Sequence, residues 1–164
     1  MKFNEFYSLT IVHSRDIILV KGVDYMNITK QKSQKTFDKQ AADYDTNIQG
    51  EHARKLYKPI IENLKNKNIH SILDLGCGTG ALLKEIKELN IAEQLFGIDI
   101  SPNMLEIAKN KLGNDATLIL GDSERLPFED SSFDAIVCND SFHHYPQPDI
   151  VEKEVSRCLK QNGV

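Results

Sequence analysis

Ile72-Leu73-Asp74-Leu75-Gly76-Cys77-Gly78-Thr79-Gly80 decides how this chain is read. An apolar run ends in an acid, three glycines follow at alternate positions, and a helical pattern begins. Such a succession predicts a strand, a ligand-contacting turn and a helix. Glycines at 76, 78 and 80 permit a tight turn with positive φ, and they lack the Cβ atoms that would hold a ligand away from the backbone.

Outward from this turn the chain alternates between strand and helix. Strand Ser71–Asp74 leads to a helix from Thr79 to about Leu89. Strand Gln94–Asp99 leads to a helix over Pro102–Leu112, with Ser101 as N-cap and Pro102 at the first helical position, where its missing N–H is harmless. Strand Ala116–Leu120 ends at Gly121-Asp122. Strand Phe133–Cys138 ends at Asn139, and Pro148 opens a last helix. Strands alternating with helices imply an α/β fold with a parallel sheet and right-handed crossovers.

Upstream, a helix is expected from Thr36, with Phe37, Ala41 and Tyr44 on one face. A second, from Glu51 to Asn66, carries an apolar stripe and should bend or break at Pro59. Lys30, Lys32, Lys35 and Lys39 form a basic cluster, read as a solvated helix start. Two β-prone runs within residues 1–25 suggest a hairpin, and Met26 is an alternative translation start that would make residues 1–25 a translated leader. The expected division is an extension at 1–25, a helical cap at 26–68 and a cofactor-binding core at 69–164.

Composition narrows the possibilities. A chain of 164 residues with 40% hydrophobic and 27% charged content is ordinary for one globular domain. A net charge of −4 offers no electrostatic reason to expect nucleic acid as partner. No run approaches the roughly 20 apolar residues of a membrane span. Cys77, Cys138 and Cys158 have no metal or CxxC spacing, which suggests a reducing, cytoplasmic setting and no metal site.

Four predicted strands each deliver a polar residue to their carboxyl end: Asp74, Asp99, Asp122 and Asn139. In open α/β sheets that edge holds the ligand. A carboxylate accepts at two oxygens, so Asp99 suits the two hydroxyls of a ribose, and Asp122 suits an exocyclic amine such as that of adenine. Ile100 and Met104 can sandwich a flat base. The implied ligand is a nucleoside with a polar tail resting on the glycine turn.

These segments resemble the class I S-adenosylmethionine-dependent methyltransferases. The resemblance rests on Asp74–Gly80, the acid in Gly97-Ile-Asp-Ile-Ser101, Gly121-Asp-Ser-Glu-Arg-Leu-Pro-Phe128 and Phe133-Asp-Ala-Ile-Val-Cys-Asn139. It spans roughly residues 34–164 and is nearest to the small-molecule branch that includes ubiquinone and menaquinone biosynthesis enzymes. Thr36-Phe37-Asp38 through Ala42-Asp43-Tyr44-Asp45 resembles that branch's cofactor-covering helix. The resemblance implies a Rossmann-like, doubly wound parallel sheet and S-adenosyl-L-methionine as cofactor. The turn at Gly76, Cys77, Gly78 and Gly80 would hold its methionine part, and Asp74 would orient the amino group through water. Asp99 would bind the ribose and Asp122 with Ser123 the adenine, while Asn139 would sit near the reactive end and Tyr44 would close over the ligand.

In-line displacement of methyl from a sulfonium needs positioning and exclusion of water, and a base only where the acceptor, a small molecule, must lose a proton. His143 and His144 are the candidates. The match stops at Val164, so the expected sheet is incomplete, with about four core strands and strands five to seven missing. The strand at Phe133–Cys138 would then be an exposed edge that the 1–25 hairpin covers or through which the chain self-associates. Two alternatives are an NAD-binding oxidoreductase, since Gly76-x-Gly78-x-x-Ala81 meets the relaxed dinucleotide pattern, and a non-catalytic cofactor-binding module.

Overall fold

Five parallel strands carry the molecule, in the spatial order β1-β4-β3-β2-β5. The computed structural model describes residues 18–19 and 28–164. The strands are β1 (Ile18–Leu19), β2 (Ile69–Leu75), β3 (Ala92–Asp99), β4 (Ala116–Leu120) and β5 (Ala135–Val137). The helices are α1 (Ile28–Gln40), α2 (Glu51–Leu64), α3 (Ala81–Glu88), α4 (Pro102–Leu112) and α5 (Pro148–Cys158). From β2 the chain steps outward through β3 to β4, then returns to place β5 on the other side of β2. That reversal opens a crevice at the carboxyl ends of β2 and β5.

Because parallel strands are covered on both faces, their residues are apolar on both. Ile72, Leu95, Leu118 and Ala135 share one core with α2, α3 and α4, through residues such as Ile61, Leu83 and Leu105. Leu73, Leu75, Ile98 and Ile119 meet Val151 and Cys158 of α5 in the other. Phe96, Phe128 and Phe133 close that second core with edge-on ring contacts at 4.8–5.9 Å. The sheet is therefore doubly wound, as its sequence resemblance implies. Gly97 keeps β3 close to the turn before α3, since a Cβ there would lie 2.8 Å from Cys77 Sγ. All three cysteines are free thiols.

The boundaries of α4 match expectation, and Ser101 Oγ accepts from the Met104 amide at 3.1 Å as an N-cap should. Two helical expectations fail. α2 runs unbroken through Pro59, which lies on its exposed side, where water can serve the carbonyl that the missing N–H would have met. α1 starts at Ile28 and ends at Gln40, so Ala41 and Tyr44 stand in the turns that follow it. Thr36 lies inside the helix, its hydroxyl bonded back to the Lys32 carbonyl at 2.9 Å. Lys30 is not solvated but buried.

The postulated 1–25 hairpin lies outside the described residues except for β1. Those two residues pair with Ile119 and Leu120 of β4, at the edge of the sheet opposite β5, so they do not cover the strand at Phe133–Cys138. On the free side of β5, Val164 donates to the Asp134 carbonyl at 3.0 Å and accepts from the Ile136 amide at 2.8 Å. No helix among the described residues is long and apolar enough to cross a membrane.

At the amino end of the sheet, Asp134 ties β5 to β2. Its Oδ2 accepts from the amides of His70 and Ser71 at 3.1 and 2.8 Å and from Ser71 Oγ at 3.0 Å, while Lys160 Nζ reaches Oδ1 at 2.8 Å. Lys160 foremost, with the Ser71 hydrogen bonds, outweighs the opposing effect of burial and holds this carboxyl well below the usual carboxylate range. A group with a depressed folded pKa stabilises the protein above its unfolded pKa and loses that effect as pH falls through the folded value. Asp134→Ala should lower stability by about 2–3 kcal/mol in urea melts at pH 7. The difference from the parent should narrow below pH 4, and a constant difference would contradict the charge-based account.

Candidate functional site

The crevice at the carboxyl edge is a cavity whose floor is the glycine turn. Gly76, Gly78 and Gly80 all have positive φ, at 75°, 52° and 72°. At Gly76 the conformation is compounded by crowding, since a Cβ would stand 2.6 Å from Ser141 Cβ. At Gly78 a Cβ would meet nothing within 4 Å, so it would project into open space above the turn. Gly78 is thus a cradle in which a ligand can approach the backbone. Gly80 stands back from the cavity and packs against Ala108 and Leu112 of α4.

The turn is fastened to the end of β3. The amides of Gly76 and Cys77 both donate to the Ile98 carbonyl, at 2.9 and 3.0 Å. Asp99 accepts from the Gly78 amide at Oδ2 and the Ser101 amide at Oδ1, each at 2.8 Å. Burial raises the pKa of this carboxyl and those two amides oppose the rise. Its remaining lone pairs are open to a ligand's hydroxyls.

Asp74 is the most unusual group in the site. It is 2% exposed, and its Oδ1 is buried with no hydrogen-bond donor. Burial, and then the nearby Asp99 carboxylate, push its pKa up to about 7. Asn139 offers a second buried acceptor without a donor: its Nδ2 is committed to the Ala53 carbonyl at 3.2 Å, while Oδ1 has no partner. Two orphaned acceptors on the wall of one cavity are complementary to a ligand that brings N–H donors, above all an ammonium.

Ile100 and Met104 form an apolar wall beyond Asp99, and Asp122 with Ser123 closes the far end. Asp122 Oδ1 accepts from the Glu124 amide at 3.0 Å, and its Oδ2 is met by Lys30 Nζ at 2.6 Å. Tyr44 lines the opposite wall beside Phe37, their rings 6.4 Å apart and edge-on. His144 also faces the cavity, with its ring 5.1 Å from Phe37. Burial, then His143, lowers the His144 pKa, so the imidazole is neutral at pH 7. His143 is not part of the wall; it lies behind His144, ring centres 3.9 Å apart. Cys77 is buried and its thiol pKa is raised well up by that burial, which leaves it a packing residue rather than a nucleophile.

Several wall residues carried no signal in the sequence. Ser141 Oγ donates to the Leu75 carbonyl at 2.7 Å, and the Tyr145 hydroxyl sits 3.0 Å from that Oγ, so together they brace the loop after β5 against the turn. Tyr57 of α2 reaches the cavity, where burial, then Asp74, keep its hydroxyl protonated. Asp140, held at φ 56°, pairs with His52 Nδ1 of α2 at 3.0 Å. The Ser141–Leu75 and His52–Asp140 pairs join residues 66 and 88 positions apart, beyond the reach of any local spacing rule.

Residues 73–164, the glycine turn included, match the family model described as a methyltransferase domain. The chain belongs to this methyltransferase domain family. It is 34% identical over 138 residues to a demethylmenaquinone methyltransferase of Thermotoga maritima, a match that covers 82% of this chain and 60% of that protein. A malonyl-[acyl-carrier protein] O-methyltransferase of Legionella pneumophila is 34% identical over 135 residues, covering 79% of this chain and 46% of the other. The chain thus spans about half the length of these curated relatives. Among solved structures, the YcgJ protein of Bacillus subtilis superposes with a TM-score of 0.62 at 28% identity, over 67% of this chain and 48% of that one.

In this methyltransferase domain the buried Asp74 works against stability. Its folded pKa lies above the ordinary carboxylate value, so the free protein loses stability as pH rises from about 4 through about 7. Asp74→Asn, which removes the charge, should melt higher than the parent at pH 8, by an equivalent of a few kcal/mol at most. The gap should close toward pH 5 in scanning calorimetry, and an Asn variant that melts lower at pH 8 would contradict this.

Proposed function

We propose that this chain binds S-adenosyl-L-methionine in the crevice above the glycine turn and, as part of a methyltransferase, serves methyl transfer to a small-molecule acceptor. The observation that carries the reading is the pair of orphaned buried acceptors, Asp74 Oδ1 and Asn139 Oδ1, beside a glycine cradle. They fit the ammonium of an amino-acid tail, and the rest of the cavity fits an adenosine. The bound cofactor supplies a methyl group on a sulfonium, a strong electrophile with a good leaving group.

The side chains then have separable tasks. Asp74 and Asn139 hold the ammonium, and the open backbone at Gly78 receives the carboxylate end of the tail. Asp99, already oriented by two amides, accepts from the ribose hydroxyls. Ile100 and Met104 flank the base, and Asp122 and Ser123 meet its polar edge. Phe37, Tyr44 and His144 wall the mouth with aromatic surface, which suits a flat, electron-rich acceptor and keeps water out. His144, neutral at pH 7, is placed to take the proton an acceptor loses, with His143 behind it. The relatives' demethylmenaquinone and malonyl substrates make quinols and carboxylic acids the first acceptors to try.

Titration calorimetry should give saturable one-site heat with S-adenosylmethionine and none with NAD. Heat with NAD alone would replace this reading with the oxidoreductase one. Because the ammonium needs an ionised Asp74, whose pKa is about 7 in the free protein, affinity should rise as the pH is brought up to 7. Below that value it should fall by about tenfold per pH unit. Transfer of labelled methyl to a panel of quinols, phenols and carboxylic acids separates an enzyme from a binding module, and turnover with none of them favours the module.

A further inference from the structure

The lysine-rich helix α1 carries a buried cation over the adenine end of the cavity, and the binding scheme above leaves it without a task. Lys30 is 6% exposed. Its Nζ lies 2.6 Å from Asp122 Oδ2 and 2.5 Å from Glu124 Oε2, bridging carboxylates more than 90 residues away in the chain. Glu124 is held in turn by Gln147, whose backbone amide donates to Oε1 at 3.0 Å and whose Nε2 donates to Oε2 at 2.9 Å. Burial works against the ammonium's charge, and the two carboxylates outweigh it.

Two turns further along α1 there is a second fastening. Asp38 accepts from Ser101 Oγ at 2.6 Å, and its carbonyl accepts from Asn103 Nδ2 at 3.1 Å. Between the two fastenings, Lys30, Ser33 and Phe37 follow helical spacing and all face the cavity. One helix face therefore roofs the space bounded below by Asp99, Ile100 and Met104. Its two fastenings are polar, with Phe37 between them edge-on to the rings of Tyr44 and His144, and polar fastenings can open and re-form without exposing a hydrophobic core.

We infer that Lys30 is the clasp of α1, the helix whose cover over the cofactor the family resemblance already implies, and that it is a positioning residue that must leave Asp122 for the ligand to pass and that returns to hold Asp122 against the base. The inference rests on the cofactor reading given above. It assigns Lys30 control over how fast the ligand exchanges. A cation shared by two carboxylates is costly to lose, because the two acids then face each other without the charge that lay between them. The clasp is therefore closed for most of the time, and release of the ligand is slow.

The test uses S-adenosylhomocysteine as probe and the full chain immobilised for surface plasmon resonance. Lys30→Met should release the probe about tenfold faster than the parent, whereas Lys30→Arg, which restores the cation, should stay within about threefold. If Lys30 acts through Asp122, the double variant Lys30→Met/Asp122→Asn should release the probe no faster than the worse single variant. Release from Lys30→Met within twofold of the parent, or effects of the two substitutions that simply multiply, overturns the clasp. Amide exchange on the parent needs no variant: residues 28–40 should exchange before the sheet does and become protected by the probe. Unchanged exchange in α1 on probe binding also overturns the inference. A parent that binds no probe removes the cofactor reading itself, and the clasp with it.

Discussion

Two neighbouring amides, those of Gly76 and Cys77, donate to one carbonyl, that of Ile98, and the rest of the site depends on this arrangement. It is possible because β2 and β3 run parallel in a register that sets Leu75 beside Ile98, so the turn leaving β2 bends directly across the end of β3. Asp99, the next residue of β3, then finds the Gly78 amide within 2.8 Å. A one-residue slip of β3 would reverse which of its side chains face each core and remove both contacts together. The cores that hold the register, with Ile72 and Leu95 on one face and Leu73 and Ile98 on the other, are thus what aims the backbone at the crevice.

The two ends of the sheet are built to opposite ends. At the amino end both Asp134 oxygens accept hydrogen bonds and the charge is matched by Lys160. At the carboxyl end Asp74 is buried beside another acid, with an oxygen unserved. Stability is gained at the end away from the crevice and given up at the crevice itself.

Much of this was legible in the sequence. Strict alternation of apolar runs and amphipathic stretches marks β2 through α4, and the Ser101-Pro102 start of α4 is read correctly because capping is a local matter. The polar strand ends Asp74, Asp99, Asp122 and Asn139 were legible for the same reason, since the sheet places all four carboxyl termini at one edge. What local rules missed are effects of tertiary contact. Pro59 is tolerated because it lies on the solvent side of α2. Lys30 looked like one more surface lysine in a run of four, and only its distant partners Asp122 and Glu124 reveal it as buried. Ser141 and Tyr145 brace the turn from a loop whose path follows no periodicity.

The distribution of aromatic residues has a spectroscopic consequence. The chain has no tryptophan and five tyrosines. Tyr44, Tyr57 and Tyr145 all line the cavity, and the remaining two, Tyr7 and Tyr25, precede the described helices. The near-ultraviolet emission of the native protein is therefore weighted toward the crevice, undiluted by indole. Each of the three rings differs in surroundings, one beside Phe37, one under the influence of Asp74 and one bonded to Ser141. The protein thus carries its own optical probe of whatever enters the crevice, with no label attached.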